Sequence, residues 1–244
     1  MDPAARIEAQ CRALIEAAAP ACVAAKLQLA CFERAGADGY RAARATVDTA
    51  RAAGLLVLLD GKRGDVGVTM AAYADALYDV LGADAVTANP LLGRDALEPV
   101  LDRGGTFVLV RNSNPGAAEL QDAPMADGAT LSEHLAAIVD ELGASRVGDS
   151  GLSDVGAVVG ATAPEQLERL RDRMPRAPIL VPGVGAQGGR VEDLAAAWQP
   201  GRAGAIVSAS RSIAWAHEKR GGEPAQAARE EAEELRAAAW EASA

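Results

Sequence analysis

The sequence predicts a parallel α/β barrel, and three observations carry that prediction. Short apolar runs alternate with helical patterns along the whole chain, the signature of a parallel sheet covered by helices. Polar and charged residues gather directly after those runs, where such folds build their sites. They are Lys26, Asp60 with Lys62, Asn89, Ser113, Gln187 and Arg211. A glycine-rich loop follows the sixth run and an arginine follows the seventh, and in barrels a phosphate site usually follows the last two strands. Seven strands are counted where a closed (β/α)₈ TIM barrel needs eight, so the missing strand is the first. On the count alone, an open doubly wound sheet of seven strands also fits.

Residues 4–18 repeat apolar positions at helical spacing until Pro20 stops them. The first apolar run, 21–26, ends in Lys26, and 27–35 is irregular. Helical stretches are expected at 36–53, 69–81, 94–102, 131–142, 164–174 and 191–198. The intervening strands are 55–59, 85–89, 106–111, 155–160, 178–182 and 204–208. A last Glu/Arg-rich helix covers 224–240. With no linker or low-complexity stretch beyond a polar segment near 143–151, residues 1–244 are expected to form a single domain.

Composition excludes several classes. The 244 residues are half apolar, enough for a substantial core. No apolar segment reaches the roughly 18 residues that span a bilayer. The opening Met1-Asp2-Pro3-Ala4-Ala5-Arg6 resembles neither a signal nor a transit peptide, so a cytoplasmic place is expected, with no membrane partner. Net charge of −10 argues against nucleic acid as a partner, while leaving room for a small phosphorylated ligand in a local cationic pocket. Cys11, Cys22 and Cys31 lack metal-ligand or disulfide spacing and are expected to behave as small hydrophobes, so no metal site is expected. His134 and His217 lie in helical stretches and read as surface residues. Lysine and aspartate are left to carry any proton chemistry.

The richest stretch is Leu55-Leu56-Val57-Leu58-Leu59-Asp60-Gly61-Lys62-Arg63-Gly64-Asp65. Five apolar residues run into an acid, a base and a second acid. Side chains in a strand repeat every two residues, so Asp60 and Lys62 are expected on one side. Such a pair at the end of a buried strand is costly unless the charges meet each other or a ligand. Asp65 lies past Gly64 and can be aimed elsewhere.

Gly183-Val184-Gly185-Ala186-Gln187-Gly188-Gly189 formally contains the dinucleotide fingerprint. That fingerprint wants an acid after the next strand, and Arg211 stands there instead. Small residues around Gln187, Gly188 among them, let backbone N–H groups approach an anion, and Arg211 can add a forked contact.

Together these residues resemble the orotidine 5′-phosphate decarboxylase family, in its longer bacterial (type 2) branch, from about residue 5 to residue 220. Asp60-Gly61-Lys62-Arg63-Gly64-Asp65 with Thr69 resembles the family's D-x-K-x-x-D signature. The segments around Lys26, Ser113-Asn114-Pro115-Gly116, Val159-Gly160-Ala161-Thr162, 181–189 and Ser210-Arg211-Ser212-Ile213 resemble its other segments in the same order. The resemblance implies decarboxylation of orotidine monophosphate to uridine monophosphate in de novo pyrimidine biosynthesis, with no cofactor. It implies Asp60 crowding the departing carboxylate, Lys62 donating the proton and Lys26 holding Asp60 and the ribose. It further implies a homodimer in which Asp65 and Thr69 reach the neighbouring subunit's site. Ser113 would meet the pyrimidine, Gln187 and Arg211 the phosphate, and Asn89 and Gly188 complete the substrate-binding set.

Three departures from the family stand out. Leu27 replaces a common proline, and Leu91 a common aromatic residue. The family's first strand, with its ribose-contacting aspartate, has no counterpart, so the start is expected upstream of Met1 or the chain is damaged. A breach is then expected between the strand near Cys22 and the one near Ile206, with helix 4–18 outside it. A magnesium-dependent sugar-phosphate decarboxylase or aldolase of the same superfamily would need extra acids at the strand ends held by Lys26, Asn89 and Ser113. A non-catalytic nucleotide-phosphate-binding remnant is the third reading.

Overall fold

A computed structural model describes residues 2–185 and 187–244; Met1 and Ala186, the latter inside the glycine-rich loop, lie outside the described residues. Seven parallel strands form one sheet in sequence order, and among the described residues β1 and β7 do not pair with each other. The strands are β1 Ala24–Gln28, β2 Leu56–Arg63, β3 Ala85–Ala88, β4 Gly105–Arg111, β5 Val155–Val159, β6 Ile179–Pro182 and β7 Ala205–Ser208. The result is a nearly closed barrel, with the breach where the strand count placed it.

Helices cover the outside. Helix α1, Pro3–Ala18, starts cleanly because Pro3 occupies the first turn and the Asp2 carboxylate accepts the Ala4 and Ala5 N–H groups. It packs against α3, Gly36–Ala52, and against the C-terminal helix α11, Pro224–Ala242. That is where the first helix of a closed barrel would lie. Between these come α2 Leu29–Glu33, α4 Gly67–Ala74, α5 Glu98–Leu101, α6 Ala117–Gln121, α7 Leu131–Gly143, α8 Pro164–Arg173, α9 Arg211–Ala214 and α10 Ala216–Arg220.

Two apolar layers result. The larger lies between sheet and helices and includes Leu29, Leu59, Leu97, Leu167, Leu170 and Ile179. The smaller fills the barrel interior with Leu58, Phe107, Leu109, Val158 and Leu180, joined by Ala85 and Ile206. Strands buried on both faces read as unbroken apolar runs, which is why they were legible.

Several elements differ from the sequence expectation. Strand β1 begins three residues later, because Ala19–Ala21 turn as a 3₁₀ helix after α1; Lys26 is therefore mid-strand, not terminal. The irregular stretch after it contains α2. The helix expected at 69–81 is α4 followed by a π-helical segment, Asp75–Val80. Only one turn, α5, forms within 94–102, and 191–198 winds as a 3₁₀ helix. The three thiols are free, and burial pushes those of Cys11 and Cys22 up. His217 is half-buried rather than exposed, with its Nδ1 enclosed and without a partner among the described residues.

Arg171 on α8 is nearly fully buried without a carboxylate among its partners. Its guanidinium donates to the carbonyls of Met174 (2.9 Å), Ala177 (2.7 Å), Ala197 (2.8 Å) and Gly204 (3.0 Å). Burial pushes its pKa down to about 10.

Candidate active site

The interior face of the barrel changes character two residues above its apolar layer. Leu58 gives way to Asp60 on β2, Ala85 to Thr87 on β3 and Ile206 to Ser208 on β7. On β1, Lys26 pairs in register with Leu58 and Gln28 with Asp60, so both face inward by the two-residue repeat. These residues floor a cavity of about 440 Å³ at the carboxyl ends of the strands. Ser113, Gln187 and Arg211 line it as well.

Asp60 is the hub. Its Oδ2 accepts from Lys26 Nζ at 2.8 Å, and its Oδ1 accepts from Lys62 Nζ at 2.5 Å and from the Thr87 hydroxyl at 2.9 Å. Burial alone would push the Asp60 carboxyl up, yet the two ammonium groups outweigh it and hold the pKa below the ordinary carboxylate value. Lys62 keeps 41% of its side chain exposed, facing the cavity. Its backbone lies in the left-handed region, φ 47°, the one non-glycine residue there among the described residues. That conformation costs roughly 1–2 kcal/mol for a residue with a Cβ. The simple two-residue alternation expected for Asp60 and Lys62 is thus interrupted; a bulge, not a regular strand, brings the lysine back over the aspartate.

Ser113 is held by a frame at the end of β4. Buried Arg111 meets Asp122 through two bonds of 2.8 and 2.9 Å and donates to the Asn112 carbonyl at 2.5 Å. The Gln121 side chain accepts the Asn112 N–H at 2.7 Å. The hydrogen bonds from Arg111 also hold the Asp122 carboxyl below its ordinary value. Gly160, at the end of β5, lies under Ser113; a Cβ there would stand 2.7 Å from the serine Cα.

The loop after β6 curls around the other end of the cavity. Gly183 has φ +98°, and a Cβ on it would stand 2.9 Å from Gln187 Oε1 and 3.0 Å from Ser113 Cβ. Only glycine lets the serine and glutamine loops meet over the backbone. Arg211 opens α9 directly opposite. The neighbouring Ser212 hydroxyl is buried beside Gly185 without a partner among the described residues.

Not every residue expected in the site stands in it. Asn89 is outside the cavity lining: its N–H bonds the Arg63 carbonyl at 2.7 Å and its Oδ1 accepts the Leu91 N–H at 3.1 Å, so it builds the turn after β3. Gly188 is likewise absent from the lining, and its N–H is donated within the loop to the Gly185 carbonyl at 3.0 Å. Asp65 and Thr69 are also outside the cavity lining. Asp65 Oδ1 accepts the Val66 N–H at 2.7 Å, and Thr69 is exposed on α4. Conversely, Gln28, Thr87 and Asn112 line the cavity without having been singled out. A threonine inside the apolar run Ala85-Val86-Thr87-Ala88 is the signal that was available for one of them.

Comparison with known proteins agrees with this architecture. The profile of the orotidine 5′-phosphate decarboxylase / HUMPS family matches residues 1–230. The chain is 46% identical over 221 residues to orotidine 5′-phosphate decarboxylase of Rhodopirellula baltica, covering 86% of this chain and 73% of that protein. It is 44% identical over 210 residues to the Deinococcus radiodurans enzyme of the same name, covering 83% and 75%. The structure of the Leishmania donovani OMP decarboxylase superposes with a TM-score of 0.82 at 33% identity, over 98% of this chain and 90% of that one. A putative orotidine-monophosphate decarboxylase of Toxoplasma gondii superposes with a TM-score of 0.85 at 33% identity, over 98% and 87%. With the profile matched along nearly its whole length, this chain belongs to the orotidine 5′-phosphate decarboxylase / HUMPS family.

Proposed function

We propose that this chain decarboxylates orotidine 5′-phosphate to uridine 5′-phosphate and CO₂, using side chains alone. The observation that carries the reading is the Lys26–Asp60–Lys62 array at the floor of a cavity whose far end is a glycine loop facing Arg211. The phosphate is anchored at that far end by Gln187 and Arg211. Ser113 meets the pyrimidine edge. Asp60 then lies against the substrate carboxylate, while Lys62 Nζ points into the space above it. The C6–carboxylate bond breaks, its electron pair stays on C6, and the Lys62 proton passes to C6. The neutral amine regains its proton from water. The charges are fixed before reaction, so little reorganisation is needed as the carbanion forms. Binding energy from the remote phosphate lowers the barrier at the ring.

The metal-dependent alternative is not favoured. It needs free carboxylate oxygens at several strand ends, and both oxygens of Asp60 are already engaged by ammonium and hydroxyl donors. The test is loss of orotidine monophosphate ultraviolet absorbance with the purified chain. Turnover unchanged by EDTA is expected. Turnover abolished by EDTA, or none at all, sinks the reading.

The functional unit in this reading is a homodimer with Asp65 and Thr69 acting across the interface. Val66, just before α4, Val68 on its first turn, and Leu91 and Leu92 after β3 are exposed, Val68 to 89%. Exposed apolar side chains of this kind suit a protein partner. Mixing inactive Asp65→Ala with inactive Lys62→Ala chains is expected to restore activity, because a hybrid dimer holds one site with neither defect. No recovery under demonstrated subunit exchange removes Asp65 from the partner's site.

A further inference from the structure

Between β2 and β3 the register slips. Leu58 pairs with Ala85 and Leu59 with Val86, and pairing resumes only at Arg63 opposite Ala88. Three residues of β2, Asp60, Gly61 and Lys62, therefore face a single residue of β3, Thr87. A bulge of this kind leaves backbone groups without ladder partners. The Lys62 N–H finds one in the Thr87 hydroxyl oxygen, at 2.9 Å. The same hydroxyl donates its proton to Asp60 Oδ1, also at 2.9 Å. Thr87 is 1% exposed, so water does not compete for either bond.

We infer that Thr87 is a positioning residue for the reaction: one oxygen atom ties the backbone of Lys62 to the carboxylate of Asp60. The inference rests on the reading of Lys62 as the proton donor. Lys62 sits in the left-handed region, a conformation that persists only where the surroundings hold it. The bond from its N–H to Thr87 is such a restraint. The bond onward to Asp60 turns the carboxylate so that Oδ1 also receives the Lys62 ammonium. The two bonds run in one direction, N–H to O–H to carboxylate, and polarise each other. Valine would fill the same space, yet it would leave a buried N–H unpaired and take one donor from Asp60. Serine keeps the oxygen and loses only the methyl that stiffens χ1.

The experiment measures kcat and KM for orotidine monophosphate in Thr87→Val, Thr87→Ser and Lys62→Ala, together with the dissociation constant for uridine monophosphate. Thr87→Val is expected to lower kcat about thirtyfold or more, the scale of one hydrogen bond to a charged group, while KM and product affinity stay within about threefold. Thr87→Ser is expected to return kcat to within about fivefold of the parent. A Thr87→Val kcat near the parent's, with Lys62→Ala inactive, overturns the inference and leaves the proton donor standing. Equal losses in kcat and product affinity mark a merely structural threonine and overturn it too. Substantial activity in Lys62→Ala fails the underlying reading instead. Should Thr87→Val not fold, Thr87→Ala against Thr87→Ser makes the same comparison: a kcat for alanine at least about tenfold below that for serine supports the inference, and equal values overturn it.

Discussion

The two sides of the barrel are built differently. From β2 to β6 every strand has neighbours on both edges, and β5 is buried along its whole length. At the breach, β1 and β7 each pair on one edge only among the described residues, and most of their residues are half-buried. The site divides along the same line. Asp60, Lys62 and Ser113, which meet the reacting ring in the proposed reading, stand on the closed wall. Of the cations around them, Lys26 stands on β1, which flanks the breach, and Arg211 opens α9 just after β7, the other flanking strand. The reacting pair thus stands at a bulge on a strand with neighbours on both edges, whereas the charges that hold it and the phosphate depend on the less constrained side.

Breaking the closed wall's chemistry is expected to have the largest effect. Lys62→Ala should lower kcat by about 10²–10⁴, the range for a positioned proton donor, with nucleotide binding nearly intact. Retention of a tenth of kcat/KM, a loss of only about 1.4 kcal/mol, would remove Lys62 from that role. On the open side, Arg211→Ala should raise KM for orotidine monophosphate by about ten- to a hundredfold, the range for a charge-assisted hydrogen bond. It should leave turnover of the phosphate-free nucleoside within about threefold. Equal losses for both substrates would show that Arg211 does not bind phosphate.

The comparison also predicts where stability can be gained. Unpaired strand edges are a weakness. Fusing an apolar segment of about five or six residues ahead of α1 should let it pair between β1 and β7. Each kcal/mol gained would raise Tm by about 2–4 °C for a chain of this size. A polar segment of the same length serves as the control, and equal melting of the two fusions would show that the breach takes no strand.

The smallest expected effect is in acid. Burial opposes the Asp60 charge, but Lys26 and Lys62 hold its folded pKa below the unfolded one. The resulting stability is therefore complete above the unfolded carboxylate value, about 3.9, and is lost as pH falls through the lower folded value. The stability difference between the parent and Asp60→Asn should shrink from about pH 5 to about pH 2. A difference that stays constant over that range would contradict the shift.

The strands and the Asp60–Lys62 pair were legible because a strand covered on both faces tolerates charge only where charge is used. The breach was legible as well, since phosphate-type loops after the sixth and seventh strands left the gap at the front. What the sequence hid was mostly register. Lys26 looks terminal because the apolar run stops there, but the chain spends Ala19–Ala21 on a turn and extends the strand to Gln28. Asp60 and Lys62 were expected to alternate regularly, and periodicity alone cannot show a bulge that sets three residues against one. The Arg111–Asp122 frame depends on α6, a five-residue helix too short to leave a periodic signature.

Arg171 has a consequence for how the molecule opens. Its five carbonyl partners belong to the end of α8, the turn before β6, the 3₁₀ helix at 191–198 and the short turn before β7. None of those irregular segments has a long hydrogen-bonded ladder of its own. A single buried cation makes them share one fate, so the turns at 174–177 and 197–204 should open together rather than fraying piecemeal, while β6 between them is held by pairs on both edges. The amide protons around Ala177 should then exchange with solvent together with those around Trp198, at a common rate set by a guanidinium outside the cavity lining.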